Sequence, residues 1–137
     1  MCDGVKSDYQ GSGERVLLVD YDVSIIEAGK RLLEQMGYEA VTCVSSAKAL
    51  ALLHSTGEEQ IDCVICEVAM PRIGGVAIAN TSRLCRPRTR FLLSSGTADV
   101  LSPDSLRVLG IAGVVMQPFS AHFLARALNR ALTGSKL

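Results

Sequence analysis

The chain has 137 residues, nearly half of them hydrophobic, and its 14 basic side chains match its 14 acidic ones. That length suits one domain with a sizeable core, and the balanced charge gives no general pull toward nucleic acid or an anionic membrane. No apolar run approaches the roughly 20 residues of a membrane helix, and the polar start MCDGVKSDYQGSGE lacks the apolar middle of a signal peptide, so a cytoplasmic protein is expected.

Residues 1–14 show no periodicity and are expected to form a flexible tail. RVLLVD at 15–20 reads as a continuously apolar strand. Residues 24–36 follow with apolar or small side chains at 25, 26, 29, 32, 33 and 36, which is helical spacing, and Gly37 sits where a helix often ends. EAVTC at 39–43 is a second, weaker strand. A short helix over 46–54 is capped by Ser45 or Ser46. Residues 62–67 form the third strand, and 76–85 a helix rich in Thr, Ser and Asn. RFLLS at 90–94 is the fourth strand. Ser102-Pro103-Asp104 opens a helix, with Pro in its first turn, and Gly110 closes it. GVVM at 113–116 is the fifth strand, and residues 120–132 the last helix, apolar at 124, 127, 128 and 131. Strands alternating with helices imply a parallel sheet. Runs that are apolar throughout belong to strands covered on both faces, as in a doubly wound α/β fold. One domain over 15–132 and a short tail over 133–137 are expected.

In such a sheet, ligands bind beyond the carboxyl ends of the strands. Each strand delivers a polar group there: Asp20 with Tyr21 and Asp22 after the first, Glu67 after the third, Ser94-Ser95-Gly96 after the fourth, and Gln117-Pro118 after the fifth. Four together, each in register with its strand, predict a small polar site, with Glu67 where the sheet meets solvent. The five cysteines stand at 2, 43, 63, 66 and 85. Cys63 and Cys66 have CxxC spacing, but within a strand residues three apart face opposite sides, so core thiols are expected. His54 and His122 share no ligand spacing with them.

The stretches RVLLVDYDVSIIEAGKRLLEQMGYEAVTC, CVICEVAMPRIGG, FLLSSGTAD and GVVMQPFS resemble the response-regulator receiver domain, the CheY-like fold of two-component signalling. The resemblance covers about residues 15–132. It implies five βα units with strand order 2-1-3-4-5. It also implies phosphoryl transfer from a histidine kinase to an acid ending the third strand. Two acids after the first strand hold Mg²⁺, a hydroxyl follows the fourth, and a lysine ends the fifth. Two anions must approach each other, so a hard cation and an ammonium screen them.

On this sequence Asp20 matches the first acid, and Tyr21 stands in place of the second. Glu67 takes the phosphoacceptor position, Ser95 (with Ser94 beside it) the hydroxyl position, and Gln117 the lysine position. Val114 replaces a switch aromatic. The site is therefore degenerate against the family pattern, and the expectation is a pseudo-receiver acting by phosphorylation-independent contact, with no cofactor. Glu67 reaches about 1.5 Å further than an aspartate, toward the space a phosphoryl group would fill. The alternative is a conventional Mg²⁺-dependent receiver in which Asp20, Asp22 and Glu67 hold the ion. A thiol redox protein using Cys63 and Cys66 ranks third, and a nucleotide binder last, since no Gly-rich phosphate loop is present. Expected partners are a histidine kinase, an output domain or another regulator, with a possible homodimer through the fourth helix, fifth strand and fifth helix. Arg83, Arg86, Arg88 and Arg90 read as solvated stems, with docking to an acidic partner as the sharper reading. The terminal Ser-Lys-Leu reads as a coincidence rather than a peroxisomal address.

Overall fold

The computed structural model describes residues 10–55, 57, 59–97 and 101–134. In chain order its elements are β1 (Arg15–Val19), α1 (Val23–Gln35), β2 (Glu39–Cys43), α2 (Ser46–His54), β3 (Cys63–Glu67), α3 (Gly75–Cys85), β4 (Arg90–Ser95), α4 (Pro103–Val108), β5 (Gly113–Met116) and α5 (Ala121–Thr133). The five strands are all parallel and ordered β2-β1-β3-β4-β5.

The apolar strand runs are sorted by alternation. Val16 and Leu18 of β1, Cys63 and Ile65 of β3, and Leu92 of β4 face one core, closed by Ile26 and Leu33 of α1 and Leu124, Ala125 and Leu128 of α5. Leu17, Val19, Val64, Cys66, Phe91 and Leu93 face the other, closed by Ala49 and Leu53 of α2 and Ile78 and Ala79 of α3. A strand buried on both faces has no polar side to show, which is why these runs carry no two-residue alternation.

Capping sets the helix starts. Asp22 caps α1 by accepting from Ser24 N, so the helix begins one residue earlier than its spacing suggests. Ser45 caps α2, leaving Ser46 free to donate from Oγ to the Ile73 carbonyl at 2.7 Å. Ser102 caps α4, and α5 ends on Gly134 in the left-handed region, φ 70°.

Residues 11–14, expected to belong to a flexible tail, are docked on the fold. Gly11 N donates to Met36 O at 2.6 Å and Gly13 N to Gly37 O at 2.8 Å, so residues 11–14 lie against the α1–β2 turn. Small side chains make this contact possible: a Cβ on Gly11 would come within 2.7 Å of the Tyr38 ring. Residues 1–9 of the tail and 135–137, with the terminal Ser-Lys-Leu, lie outside the described residues. Among the described residues no helix is long and apolar enough to cross a membrane.

Candidate functional site

Because the strands are parallel, β1, β3, β4 and β5 all release their chains at one edge of the sheet. Register brings the ends level: Glu67 pairs with Ser94, and Ser95 with Met116. Asp20 lies just beyond β1, its backbone N donating to Cys43 O at 3.1 Å.

Three of the expected residues meet directly. Gln117 Nε2 donates to Asp20 Oδ2 at 2.8 Å and to Ser94 Oγ at 3.3 Å. The other Asp20 oxygen, Oδ1, accepts from Asp22 N at 2.9 Å. Asp20 is only 1% exposed, and a buried carboxylate requires such donors. One amide therefore ties together the ends of β1, β4 and β5.

Glu67 departs from its expected placement. The sequence puts it at the solvent boundary, reaching outward; in the structure it is 7% exposed, and its Oε2 accepts from Ala69 N at 2.9 Å. The extra methylene gives the carboxylate slack to turn back onto the backbone two residues later, where it pairs an amide of the turn leading into Met70-Pro71. Ser95 is likewise occupied locally: its Oγ accepts from Thr97 N at 3.0 Å and lies 3.1 Å from Thr97 Oγ1. Thr97 and the Ala69 amide are the members that sequence reading misses. Thr97 stands in SSGTAD at the two-residue offset a serine turn uses.

Tyr21 is 53% exposed, so its bulk faces away from the buried carboxylate. Asp22 Oδ1 accepts from both Ser24 N and Ser24 Oγ. Those bonds, the hydroxyl first, hold its carboxyl below the ordinary carboxylate value. Val114 is half-buried and packs against the core that includes Phe91 and Leu93.

The Mg²⁺ that the resemblance implies meets no fitting donor set. Both Asp20 oxygens accept from protein N–H groups, Asp22 caps α1, and Glu67 is folded onto the backbone. Among the described residues no group of three His, Cys, Asp or Glu side chains could hold a metal ion. The thiols make no couple either. Cys63 faces the α1/α5 core and Cys66 the α2/α3 core. Burial pushes the Cys63 thiol up to about 12 and raises that of Cys66 as well, which suppresses the reactive thiolate.

The arginines of RLCRPRTR are not one surface. Arg86 reaches back to the C-terminal end of α2, donating to the carbonyls of Leu53, Leu52 and Ser55 at 3.0, 3.1 and 2.9 Å and to Glu59 O at 3.3 Å. It serves as a fold residue.

Comparison with known proteins agrees with this fold. Residues 16–129 match the family described as response regulator receiver domain. The chain is 29% identical over 126 residues to the sensor kinase CckA of Brucella abortus, covering 92% of this chain and 13% of the relative. It is 29% identical over 119 residues to the probable transcriptional regulator ycf27 of Guillardia theta, covering 87% of this chain and 45% of the relative. The chain thus spans less than half the length of both. Among solved structures, a response regulator receiver domain protein from Clostridium thermocellum superposes with a TM-score of 0.79 at 26% identity, covering 88% of this chain and 95% of that one. The chemotaxis protein CheY4 of Vibrio cholerae superposes with a TM-score of 0.75 at 26% identity, covering 88% and 99%.

Proposed function

This chain belongs to the response regulator receiver domain family of two-component signalling, and we propose that it is a pseudo-receiver, which signals by protein–protein contact and does not depend on phosphorylation. The observation that carries this reading is the Gln117 bridge to Asp20 and Ser94. Phosphoryl transfer onto a carboxylate needs positive charge to offset the meeting of two anions. Here a neutral amide occupies the carboxylate that would hold the cation. Glu67 commits one oxygen to the Ala69 amide, and among the described residues no cation stands by to aim the other for in-line attack. The same contact argues against Glu67 as an imitation of a phosphorylated state: it bonds to its own turn, while Ser95 bonds to Thr97.

The domain is then a docking module rather than an enzyme. Its partners are a histidine kinase, an output domain or another regulator, in keeping with relatives that are a sensor kinase and a probable transcriptional regulator. The surface for contact, including self-association, is α4–β5–α5. Val108 there is 79% exposed and Phe123 63%.

Incubation with acetyl phosphate and Mg²⁺, followed by intact-mass measurement, tests the reading. The wild type stays unmodified with and without the ion. The triple variant Tyr21→Asp, Glu67→Asp, Gln117→Lys, which adds one carboxylate at the rim, shortens another and brings in an ammonium, gains an Mg²⁺-dependent, hydroxylamine-labile adduct. A stoichiometric adduct at Glu67 of the wild type overturns the proposal.

A further inference from the structure

A second concave place lies at the opposite edge of the sheet, where β4 and β5 begin. A cavity of about 380 Å³ opens there, within the size range of small-molecule sites, and Arg83, Arg90 and Arg107 all line it. They come from the last turn of α3, the first residue of β4 and α4. Among the described residues no aspartate or glutamate lines it. Among the described residues the ion pairs are Arg15–Glu39 and Arg107–Asp104. Arg83 donates to the neutral amide oxygen of Asn80, at 2.7 Å. Two guanidinium charges, those of Arg83 and Arg90, therefore stand at one cavity without a carboxylate partner among the described residues.

Ser82, also in the cavity wall, adds an independent sign. It is 1% exposed, and its Oγ is the buried side-chain polar atom that has no hydrogen-bond partner among the described residues. Buried hydroxyls are nearly always paired, so an orphan in the wall of a cationic cavity marks a place for an acceptor. The shape is maintained by Gly110. Its left-handed backbone, φ +72°, carries no Cβ, and one built there would lie 3.2 Å from Arg83 Cδ.

We propose that this cavity binds a small phosphomonoester through its phosphate, with Arg83 and Arg90 neutralising the dianion and Ser82 donating to one of its oxygens. Guanidinium forks fit the oxygens of a phosphate bidentately, and two uncompensated cations suit a group carrying about two negative charges near neutral pH. The six residues of β4 separate this place from the rim by roughly 16 Å, so occupancy does not require the rim chemistry.

Titration of the isotope-labelled full chain at low salt, followed by NMR, tests this with four probes: inorganic phosphate, AMP, adenosine and an acidic peptide. AMP shifts the amides of Ser82, Arg83, Arg90 and Gly110 saturably, and adenosine does not. Arg83→Gln and Arg90→Gln each weaken AMP about tenfold, Ser82→Ala weakens it several-fold, and Arg126→Gln on α5 leaves it unchanged. Phosphate binding as tightly as AMP assigns the site to the free ion; tighter AMP binding assigns it to the ester, and both support a phosphate site. Adenosine binding like AMP, shifts confined to the rim, no saturable shift at millimolar AMP, or an acidic peptide binding more tightly than AMP each overturns the proposal. The wild-type map needs no variant to fold.

Discussion

Gln117 decides what the rim can do, because one neutral side chain satisfies a carboxylate and a hydroxyl from two other strands. Shortening it to alanine leaves buried Asp20 with the Asp22 amide as its remaining donor. A bond to a buried charged group is worth about 2 kcal/mol, so Gln117→Ala should lower urea-unfolding stability by about that much, with an unchanged m-value. A variant as stable as wild type would mean that the bridge contributes nothing. Asp22 sets a second expectation. The Ser24 hydroxyl and amide hold its carboxyl below the ordinary value of 3.8 that it regains on unfolding. A depressed folded value stabilises the native chain above the unfolded one, and the effect is lost as pH falls through the folded value. Asp22→Asn keeps a capping oxygen without the charge. The melting-temperature gap between wild type and this variant should therefore hold from neutral pH to the ordinary carboxylate range and close below it.

At the scale of elements, α2 depends on a residue 33 positions away: Arg86 donates to the Leu53 and Leu52 carbonyls of its last turn, where a helix runs short of backbone donors. Removing the guanidinium strands the partly buried Leu53 carbonyl and takes one of two donors from that of Leu52, so Arg86→Ala should cost about 2 kcal/mol in chemical denaturation. Arg86→Lys should recover only part, since an ammonium lacks the planar fork; full recovery would show that charge alone matters. This contact also marks where the sequence stops being legible. The strands and their βα alternation are readable because continuous burial leaves continuous apolar runs, as in VLLV of β1 and FLL of β4. The positions of Asp20, Ser94 and Gln117 are readable too, because a parallel sheet sends strand ends to one edge. The inward turn of Glu67 is not, since it depends on a rotamer and on one nearby amide, neither of which leaves a period. Arg86 in RLCRPRTR looks like its neighbours, as nothing local reveals a partner in α2. The ordered residues 11–14 escape for the same reason: Gly-Ser-Gly reads as a breaker, and only the Met36 and Gly37 carbonyls make it a docked segment.

Over the whole molecule the sheet is covered least completely at its β5 edge. Both α1 and α5 bury several side chains, whereas the six-residue α4 buries none completely, and β5 is an edge strand of four residues. Edge strands invite pairing unless shortened or covered. Beside β5, Phe123 and Met116 line one shallow cavity together with Arg126 and Arg130, and Phe123 is 63% exposed and Met116 43%. Aromatic residues exposed next to arginine are the composition that interface centres favour. If α4–β5–α5 is the contact face, Phe123→Glu should abolish association while sparing the fold. An exposed side chain contributes within about 0.5 kcal/mol of stability, so the variant should unfold with the wild type. In sedimentation velocity over a concentration series, the wild type should show a concentration-dependent shift that the variant lacks, whatever the state of the rim. Equal association of both proteins, or a shift in the wild type that appears only with acetyl phosphate, would remove this face from the account and return control of assembly to the strand ends.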